Sequence, residues 1–292
     1  MSLKYEVVRD HGGKYPVEEM CRTLEISRSG YYGWIKNAPS REERNLKSEK
    51  LVEKVRQIHE ESRRSYGSPR ILRVLRNEGI KCGKHRLEKL MHEEGIYGKQ
   101  KRKWIATTDS NHGNPVLPNR LDRKFKVHEP NRKWVSDITY CATEEGWLYV
   151  AAIMDLYSRN IVGWAAGDRI NTDLVVKALD RALEKRNPGK GLLLHSDRGS
   201  QYTSHMYQTK LWHSGIIGSM SRKGNCWDNA PMESFFGTMK TECVYGRKKY
   251  RTREEAKTDL FRYIEIFYNR KRLHSGIGYK SPESYEKQRL RA

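Results

Sequence analysis

The fold is decided by residues 134–166, which read W-V-S-D-I-T-Y-C-A-T-E-E-G-W-L-Y-V-A-A-I-M-D-L-Y-S-R-N-I-V-G-W-A-A. This stretch is rich in β-branched, aromatic and other apolar residues, interrupted at Glu144-Glu145-Gly146 and at Ser158-Arg159-Asn160. Short polar interruptions containing Gly, Ser or Asn are typical of turns between antiparallel strands. The stretch therefore predicts three consecutive antiparallel strands, at 134–140, 147–156 and 161–166.

The residues after this stretch alternate between helix and strand patterns. An apolar stripe predicts a helix that Thr172 caps and that Asn187-Pro188-Gly189 ends. The later elements are a strand at 192–194, a helix at 204–214, a strand at 216–220 and a helix at 231–245. Three antiparallel strands followed by helix, strand, helix, strand and helix is the order of the ribonuclease-H-like fold. We expect an α/β core with a mixed five-stranded sheet flanked by helices, preceded by an all-α helix-turn-helix region.

Two pairs of short helices are predicted in the first hundred residues. Residues 16–36 predict a helix, a turn and a second helix capped by Ser27 or Ser29. Residues 65–96 repeat this pattern, with Ser68 as the cap of the first helix and proline directly after it. Two such pairs in one basic segment favour DNA contact, although each pair alone is also a common packing motif.

Positive charge is concentrated at both ends of the chain. The 292 residues include 57 Lys and Arg against 36 Asp and Glu, a formal net charge of +21. Residues 1–127 hold 29 basic and 17 acidic residues, residues 128–240 hold 14 and 12, and residues 241–292 hold 14 and 7. A charge of this size attracts polyanions, and a nearly neutral middle suits an acidic site within a phosphate-binding frame. The predicted DNA-contact residues in the basic N-terminal part are Arg86, Lys101, Arg102 and Lys103.

Changes in composition divide the chain into five segments. The part around 97–130 has a basic run, then polar residues with Gly and Pro, and no apolar periodicity, so it predicts a linker or a DNA-binding arm. The predicted segments are a helix-turn-helix-like DNA-binding segment at 1–40, a charged helix plus a second helix-turn-helix-like unit at 41–100, a basic linker at 101–127, a catalytic core at 128–245 and a basic extension at 246–292.

Membrane and secreted proteins are excluded as classes by composition. No apolar run approaches the ~18–20 residues of a membrane span, and residues 1–20 lack the apolar stretch of a signal peptide. The 5 cysteines stand far apart without a C-x-x-C pair, which argues against a zinc cluster and against a disulfide scaffold. We expect reduced cysteines in a cytoplasmic protein.

Three acids lie where the predicted fold brings its elements together. Asp137 lies on the first strand, Asp197 follows the fourth strand, and Glu233 lies at the start of the last core helix. Converging carboxylates repel each other unless divalent cations lie between them, and oxygen-only ligands suit Mg²⁺ or Mn²⁺. Two such ions about 3.5–4 Å apart catalyse in-line phosphoryl displacement. We therefore predict that these three acids are catalytic and bind two metal ions per active site.

Several neighbours of the three acids are candidates for DNA contact. Lys240 follows Glu233 by two helical turns and suits a phosphate or base beside the scissile bond, and Asn229 precedes Glu233 by one turn. His195 could position a phosphate or a water, or it could be a hydrogen-bonded histidine at a strand end. Asp155 ends the second strand, and we expect it to cap the following turn rather than to join the triad.

The order of motifs resembles a known family of bacterial proteins. The motifs that carry the resemblance are W-V-S-D-I-T-Y (134–140), H-S-D-R-G-S-Q-Y (195–202), D-N-A-P-M-E-S-F-F-G-T-M-K (228–240) and Y-N-R-K-R-L-H-S-G-I-G-Y-K-S-P (268–282). Over roughly residues 15–285 the chain is similar to the OrfB-type transposases of the IS3 family of insertion sequences, whose catalytic core is of the DDE, retroviral-integrase-like type. The last motif is similar to the C-terminal signature of that family, and residues 65–96 resemble its helix-turn-helix segment.

This resemblance implies an activity and a set of partners. It implies a metal-dependent DNA transposase in which Asp137, Asp197 and Glu233 match the metal-binding triad and Lys240 matches the basic residue after the glutamate. The enzyme would nick the element ends and join the freed 3′-hydroxyl to another phosphodiester. The implied partners are double-stranded DNA, other copies of the chain assembled on DNA, and an upstream-frame DNA-binding protein as a fusion or partner. The implied location is the bacterial nucleoid.

Two other functions remain open from the sequence. The chain could be a DNA-binding regulator of transposition with a catalytically silent core, using its N-terminal helices to occupy element ends. It could also be a nuclease of the ribonuclease H type that degrades RNA–DNA hybrids, although the basic flanks and DNA-reading helices count against this. Metal-stimulated cleavage of DNA that contains the element ends would separate these alternatives from a transposase.

Overall fold

The structure, a computed structural model, describes residues 2–100, 115–244 and 249–289. The chain divides into two compact units, residues 1–58 and 59–292. The predicted DNA-contact residues Lys101, Arg102 and Lys103 lie outside the described residues. None of the described helices is both long enough and apolar enough to cross a membrane.

The first unit is helical. Its small core is formed by Val8, Cys21 and Tyr31, with partly buried apolar side chains around them. The Ser27 hydroxyl accepts a hydrogen bond from Gly30 N at 3.0 Å, so Ser27 is the cap of the third helix, as one of the two predicted alternatives. The helices are α1 (Ser2–His11), α2 (Val17–Thr23), α3 (Arg28–Lys36) and α4 (Ala38–Glu61), whose last three residues belong to the second unit.

The second unit begins with the second predicted helix pair, α5 (Ser68–Asn77) and α6 (Lys84–Glu93). The predicted Ser68 cap is wrong, because the N-cap residue is Gly67, with no side-chain cap, and the Ser68 hydroxyl donates to Glu88 on α6 instead. This bond ties the two helices of the pair together. The N-terminal helical region with its helix-turn-helix-like pair is confirmed.

A mixed five-stranded sheet forms the centre of the second unit, in the strand order β3-β2-β1-β4-β5. The first three strands are antiparallel neighbours, whereas β4 runs parallel to β1 and β5 runs parallel to β4. This is the ribonuclease-H-like arrangement that the element order predicts. The strands are β1 (Lys133–Thr143), β2 (Gly146–Asp155), β3 (Ile161–Gly167), β4 (Leu193–Ser196) and β5 (Ile217–Met220).

One face of the sheet packs against three helices through a continuous apolar core. These helices are α7 (Thr172–Arg186), α8 (Ser200–Thr203) and α9 (His205–His213). At Gly163 a Cβ atom would lie 2.3 Å from the Ala178 carbonyl oxygen, so only glycine allows α7 to pack this closely. The cap of α7 is Asn171, whose side chain accepts from Leu174 N, and not the predicted Thr172.

The other face carries α10 (Ala230–Met239) and the C-terminal segment. The predicted helix at 231–245 is too long, because the α-helix ends at Met239 and a wider π-helical turn, Lys240–Val244, follows. The C-terminal segment contains α11 (Arg253–Phe261), a second π-helical stretch (Arg262–Tyr268) and α12 (Pro282–Arg289). Trp164 on β3 donates its indole N–H to Glu265 at 3.0 Å, which fixes this segment against the sheet.

Candidate active site

The strand pairing places two of the three predicted acids side by side. In the parallel pair of β1 and β4, Val135 lies opposite His195. Asp137 lies two residues further along β1, and Asp197 directly follows β4, so both lie at the edge where the β1–β4 pairing ends. Side chains on β1 alternate between the two faces of the sheet. The Ser136 hydroxyl forms a hydrogen bond of 2.9 Å with the Tyr202 hydroxyl of α8, so Asp137 points to the opposite face, away from α8.

Backbone amides hold both aspartates in place. Asp137 Oδ1 accepts a hydrogen bond from Ile138 N at 2.8 Å, and Asp197 Oδ1 accepts one from Gly199 N at 3.0 Å. A Cβ at position 199 would lie 3.2 Å from Asp197 Oδ1, which is tighter than ordinary contact. Glycine therefore lets the chain turn closely around the Asp197 carboxylate.

Glu233 is brought to the two aspartates by the start of α10. It lies in the first turn of this helix and is partly buried. Just before the helix, Asn229 donates its side-chain amide to the Ser136 carbonyl at 3.0 Å. This bond fixes the helix start beside the backbone of β1, one residue before Asp137. A carboxylate in the first turn is also favoured by the positive end of the helix dipole.

Asp137 is affected by the charges of the two other predicted acids. Its pKa is raised well above the usual value, first by burial, then by the negative charge of Asp197 and then by that of Glu233. The charge of Lys240 partly offsets these effects. Burial also raises the pKa of Glu233. A raised carboxylate pKa means that the ionised form is electrostatically costly here, as expected where like charges converge.

The residue types at this edge suit a hard divalent cation, since all three are oxygen donors. In the residue ranges that the structure describes, however, no group of three or more His, Cys, Asp or Glu side chains is arranged so that it could hold a metal ion. One further oxygen lies nearby: Asn229 Oδ1 is buried without a hydrogen-bond partner, although the same amide donates to the strand. Its orphaned acceptor is compatible with a cation at this edge.

Lys240 is almost fully buried and lies in the π-helical turn after α10. Its amino group is 4.6 Å from the centre of the Tyr140 ring, within the range of a cation–π interaction. Burial lowers the pKa of Lys240 to about 8, while Cys141 and Asp137 act in the opposite direction. In this conformation Lys240 is therefore a cation that balances the acids, and its predicted contact with DNA stays a prediction.

His195 does not fit the predicted contact with DNA. The residue is completely buried, with Ser219 Oγ 2.8 Å from one ring nitrogen and Ser221 Oγ 3.1 Å from the other. Burial lowers its pKa to about 4, so the ring is neutral near pH 7. The alternative is correct: His195 is a hydrogen-bonded histidine at the end of β4, where it joins this strand to β5. Arg86 on α6 is exposed, and its predicted DNA contact stays a prediction.

Asp155 caps a turn, as predicted, and does not join the three acids. Its two carboxylate oxygens accept from Tyr157 N at 3.0 Å and from Asn131 N at 2.8 Å. Sequence reasoning missed another buried acid, Asp228, which lies one residue before Asn229. Its oxygens accept from the guanidinium groups of Arg222 and Arg123. The D-N pair at 228–229 does not reveal these ion pairs, because Arg222 is six residues away and Arg123 is 105 residues away in sequence.

Comparisons with known proteins show the family of this chain. The Integrase core domain family matches residues 127–226, a second Integrase core domain family matches residues 233–290, and an HTH-like domain family matches residues 47–104. Transposase InsF of insertion sequence IS3A from Escherichia coli strain K12 is 37% identical over 288 residues, covering 99% of this chain and 100% of the relative. The chain belongs to the IS3 family of transposases.

Other relatives extend this similarity. The 31 kDa protein of insertion element IS600 from Shigella sonnei is 47% identical to this IS3-family chain over 266 residues, covering 91% of this chain and 97% of the relative. Among solved structures, the simian T-cell lymphotropic virus intasome in complex with PP2A regulatory subunit B56 gamma matches with a TM-score of 0.47 and 14% identity, covering 70% of this chain and 67% of that chain. As an IS3-family transposase with an integrase core, the protein is an enzyme that processes DNA in transposition.

Proposed function

We propose that this transposase nicks DNA at the ends of its insertion sequence and joins the freed 3′-hydroxyl to another phosphodiester. Asp137, Asp197 and Glu233 carry this chemistry with two divalent ions, Mg²⁺ or Mn²⁺. The observation that supports the proposal most strongly is the effect of the Asp197 and Glu233 charges on Asp137, beside the end of the β1–β4 pairing. Catalytic sites often contain carboxylates with shifted pKa values, because burial and neighbouring like charges adjust these pKa values for catalysis.

The three carboxylates would hold the ions, and Asn229 Oδ1 would supply a further oxygen nearby. Bound divalent ions activate the attacking oxygen and stabilise the leaving oxygen of a phosphoryl displacement. The protein positions the donor groups: Ile138 N and Gly199 N fix the two aspartates, and α10 fixes the glutamate. Lys240 limits the repulsion around Asp137.

The rest of the chain would bind and arrange the DNA. The exposed Arg86, the basic run with Lys101, Arg102 and Lys103, and Lys240 are the proposed contacts. We expect the protein to hold two element ends as a homo-oligomer, at the bacterial nucleoid, alone or with an upstream-frame DNA-binding protein as fusion or partner. The five segments bounded at residues 40, 100, 127 and 245 are the proposed division of these tasks.

The test is DNA cleavage by single-residue variants of the full chain. Asp137→Asn, Asp197→Asn and Glu233→Gln should each lower nicking of DNA that carries both element ends by at least about 100-fold, because the metal ions contribute several kcal/mol to the transition state. Binding of the same DNA should persist. Asp155→Asn is the matched control, because Asp155 is a buried carboxylate in the same domain but caps a turn.

Two outcomes would contradict the proposal. If the wild-type protein binds end-containing DNA but never cleaves it with Mg²⁺ or Mn²⁺, the regulator with a silent core is the better account. If cleavage requires an RNA–DNA hybrid, the protein is a nuclease of the ribonuclease H type. Wild-type nicking by any one of the three carboxamide variants would remove that residue from the proposed triad.

A further inference from the structure

A polar cavity of about 230 Å³ lies beside α10, on a different side of this helix from Glu233. Pro231, Ser234 and Thr238 of α10 line it, and these positions share one helical face because they are three, four or seven residues apart. Glu233 precedes Ser234 by one residue and so projects about 100° away around the helix. The cavity therefore shares a rigid element with the candidate active site but is separate from it.

Three arginines from distant parts of the chain line this cavity. Arg70 comes from α5 of the helix-turn-helix-like pair, Arg159 from the turn between β2 and β3, and Arg272 from the C-terminal segment. The cavity thus exists only where these three parts of the second unit meet. The Arg70 guanidinium is anchored by donating to the Leu273 carbonyl at 3.1 Å. Its remaining donors are therefore held in one orientation.

None of the described residues that line this cavity is acidic. Arg272 is paired with Glu242, with two bonds of 2.8 and 2.7 Å. Burial and the charges of Arg272, Arg159 and Arg70 lower the pKa of His274, another lining residue, well below its usual range, so the ring is neutral near pH 7. With Glu242 assigned to Arg272, the lining residues Arg70 and Arg159 leave a local excess of positive charge, which favours an anion.

A second cavity shares lining residues with the first, and the two together suit a polymer better than a small anion. A neighbouring cavity of about 450 Å³ shares the lining residues Arg70 and Ser275 with the first. It is also lined by Lys99, Ser68 and Tyr279. Cations and hydroxyl groups therefore line both cavities, which we together call the groove, as in proteins that track a nucleic-acid backbone. At ~30 Å³ per water, the first cavity of about 230 Å³ holds roughly eight waters, enough room for a phosphate group.

We propose that the cavity between Arg70, Arg159 and Arg272 binds a backbone phosphate of DNA, and that the strand continues along the groove toward Lys99. This site rests on DNA as the partner of the transposase but not on the proposed chemistry of the three acids. A phosphate held here lies against the same helix that carries Glu233. The site would therefore fix the position of a DNA strand relative to the candidate active site.

The first test places a carboxylate in the cavity. A Cβ at the exposed position Gly276 would lie 3.4 Å from Arg159 Nε, so Gly276→Asp should neutralise the site, whereas Gly276→Ala adds a methyl group alone. Binding of a labelled DNA duplex is measured against salt concentration in EDTA, so that cleavage plays no part. Gly276→Asp should reduce the slope of log affinity against log salt by about 1 and weaken binding about 5- to 10-fold. Gly276→Ala should match the wild type.

The second test removes one cation. Arg159→Gln should lower the salt slope by about 1 as well, whereas Arg169→Gln, at an exposed arginine after β3, should change it less.

A third experiment, with inorganic phosphate, tests whether the cavity binds a free anion as well as DNA. At equal ionic strength, the wild type should melt at a higher temperature in phosphate than in chloride. The Gly276→Asp variant should melt at the same temperature in both salts. This temperature should be no lower than that of the wild type in chloride.

Three results would overturn the proposal. Equal salt slopes for Gly276→Asp and Gly276→Ala, or for Arg159→Gln and Arg169→Gln, would show that the cavity takes no DNA phosphate. Stabilisation by inorganic phosphate with unchanged DNA binding would make it a site for small anions only. Because binding is measured without divalent ions, loss of nicking in the Asp137, Asp197 or Glu233 variants neither supports nor weakens this inference.

Discussion

Two acids near the start of α10, Asp228 and Asp137, have pKa values shifted in opposite directions. Asp228, just before α10, accepts hydrogen bonds from Arg222 N, from the Arg222 guanidinium and from Arg123 Nε, all between 2.6 and 2.9 Å. These bonds hold its pKa far below the usual range. The charges that act most strongly on Asp137, beside the start of the same helix, are those of Asp197 and Glu233, and its pKa is raised.

The difference separates an acid that stabilises the fold from the acids that we propose to be catalytic. Asp228 is 1% exposed and its charge is fully compensated, so it joins the loop before α10 to the residues around Arg123. Asp137 is instead held where its ionised form is disfavoured. Strained electrostatics of this kind cost stability and are tolerated where function requires them. Each of the following predictions changes one side of this comparison.

The largest effect is expected at Asp228. Asp228→Asn should lower the free energy of unfolding by about 3 kcal/mol, because hydrogen bonds to a buried charge each contribute about 1.5–3 kcal/mol and several are weakened together. Urea denaturation measures the change. Asp122→Asn is the control, since Asp122 is 59% exposed and 4.0 Å from Arg222, and it should stay within about 0.5 kcal/mol of the wild type. Equal changes in the free energy of unfolding at the two positions would show that the buried hydrogen bonds of Asp228 stabilise the fold no more than an exposed ion pair does.

A divalent cation should stabilise the folded protein through Asp137 and should have no such effect at Asp228. At about 100 times its dissociation constant, Mg²⁺ should stabilise the wild type by about 2.7 kcal/mol over EDTA, because a ligand that binds only the folded state shifts the equilibrium by mass action. In Asp137→Asn this gain should disappear, while the variant without metal should be as stable as the wild type or more stable. Thermal unfolding in EDTA and in Mg²⁺ gives both values. A metal gain that survives in the variant would contradict the proposed site.

A smaller, pH-dependent effect is expected at Asp155. Burial raises the pKa of its carboxyl to about 6. A raised folded-state pKa means that the folded protein binds the proton more tightly than the unfolded chain does. Protonation of Asp155 therefore adds to the free energy of unfolding at pH 4, and this stabilisation is lost as the pH rises through 6. Between these values the wild type should gain about 2 kcal/mol relative to Asp155→Asn on acidification. Parallel pH profiles of the two proteins in urea unfolding would disprove the shift.

The sequence predicted the sheet well because period-2 patterns and turn residues are local signals. The strands at 134–140 and 147–156 and their antiparallel pairing are confirmed, and so is the role of Asp155, whose partners lie within one turn or directly before β1. The predicted end of the last core helix was wrong, because the apolar spacing does not indicate the change from α-helix to π-helix at Lys240.

Features that depend on distant residues could not be predicted. The burial of His195 follows from its pairing with Ser219 and Ser221 on and after β5, and no spacing rule places these strands beside each other with that register. The cavity lined by Arg70, Arg159 and Arg272 joins residues more than two hundred positions apart. Composition shows that these arginines exist but not that they converge.

The wide separation of the three acids along the chain has a consequence during protein synthesis. The ribosome releases Asp137 and the strands around it long before Glu233, which is held beside β1 by the Asn229 bond. A nascent or prematurely terminated chain that ends between Asp197 and Glu233 carries both helix pairs and two of the three acids. Such a fragment lacks the glutamate, so under the proposed chemistry it is unable to cut the chromosome that encodes it.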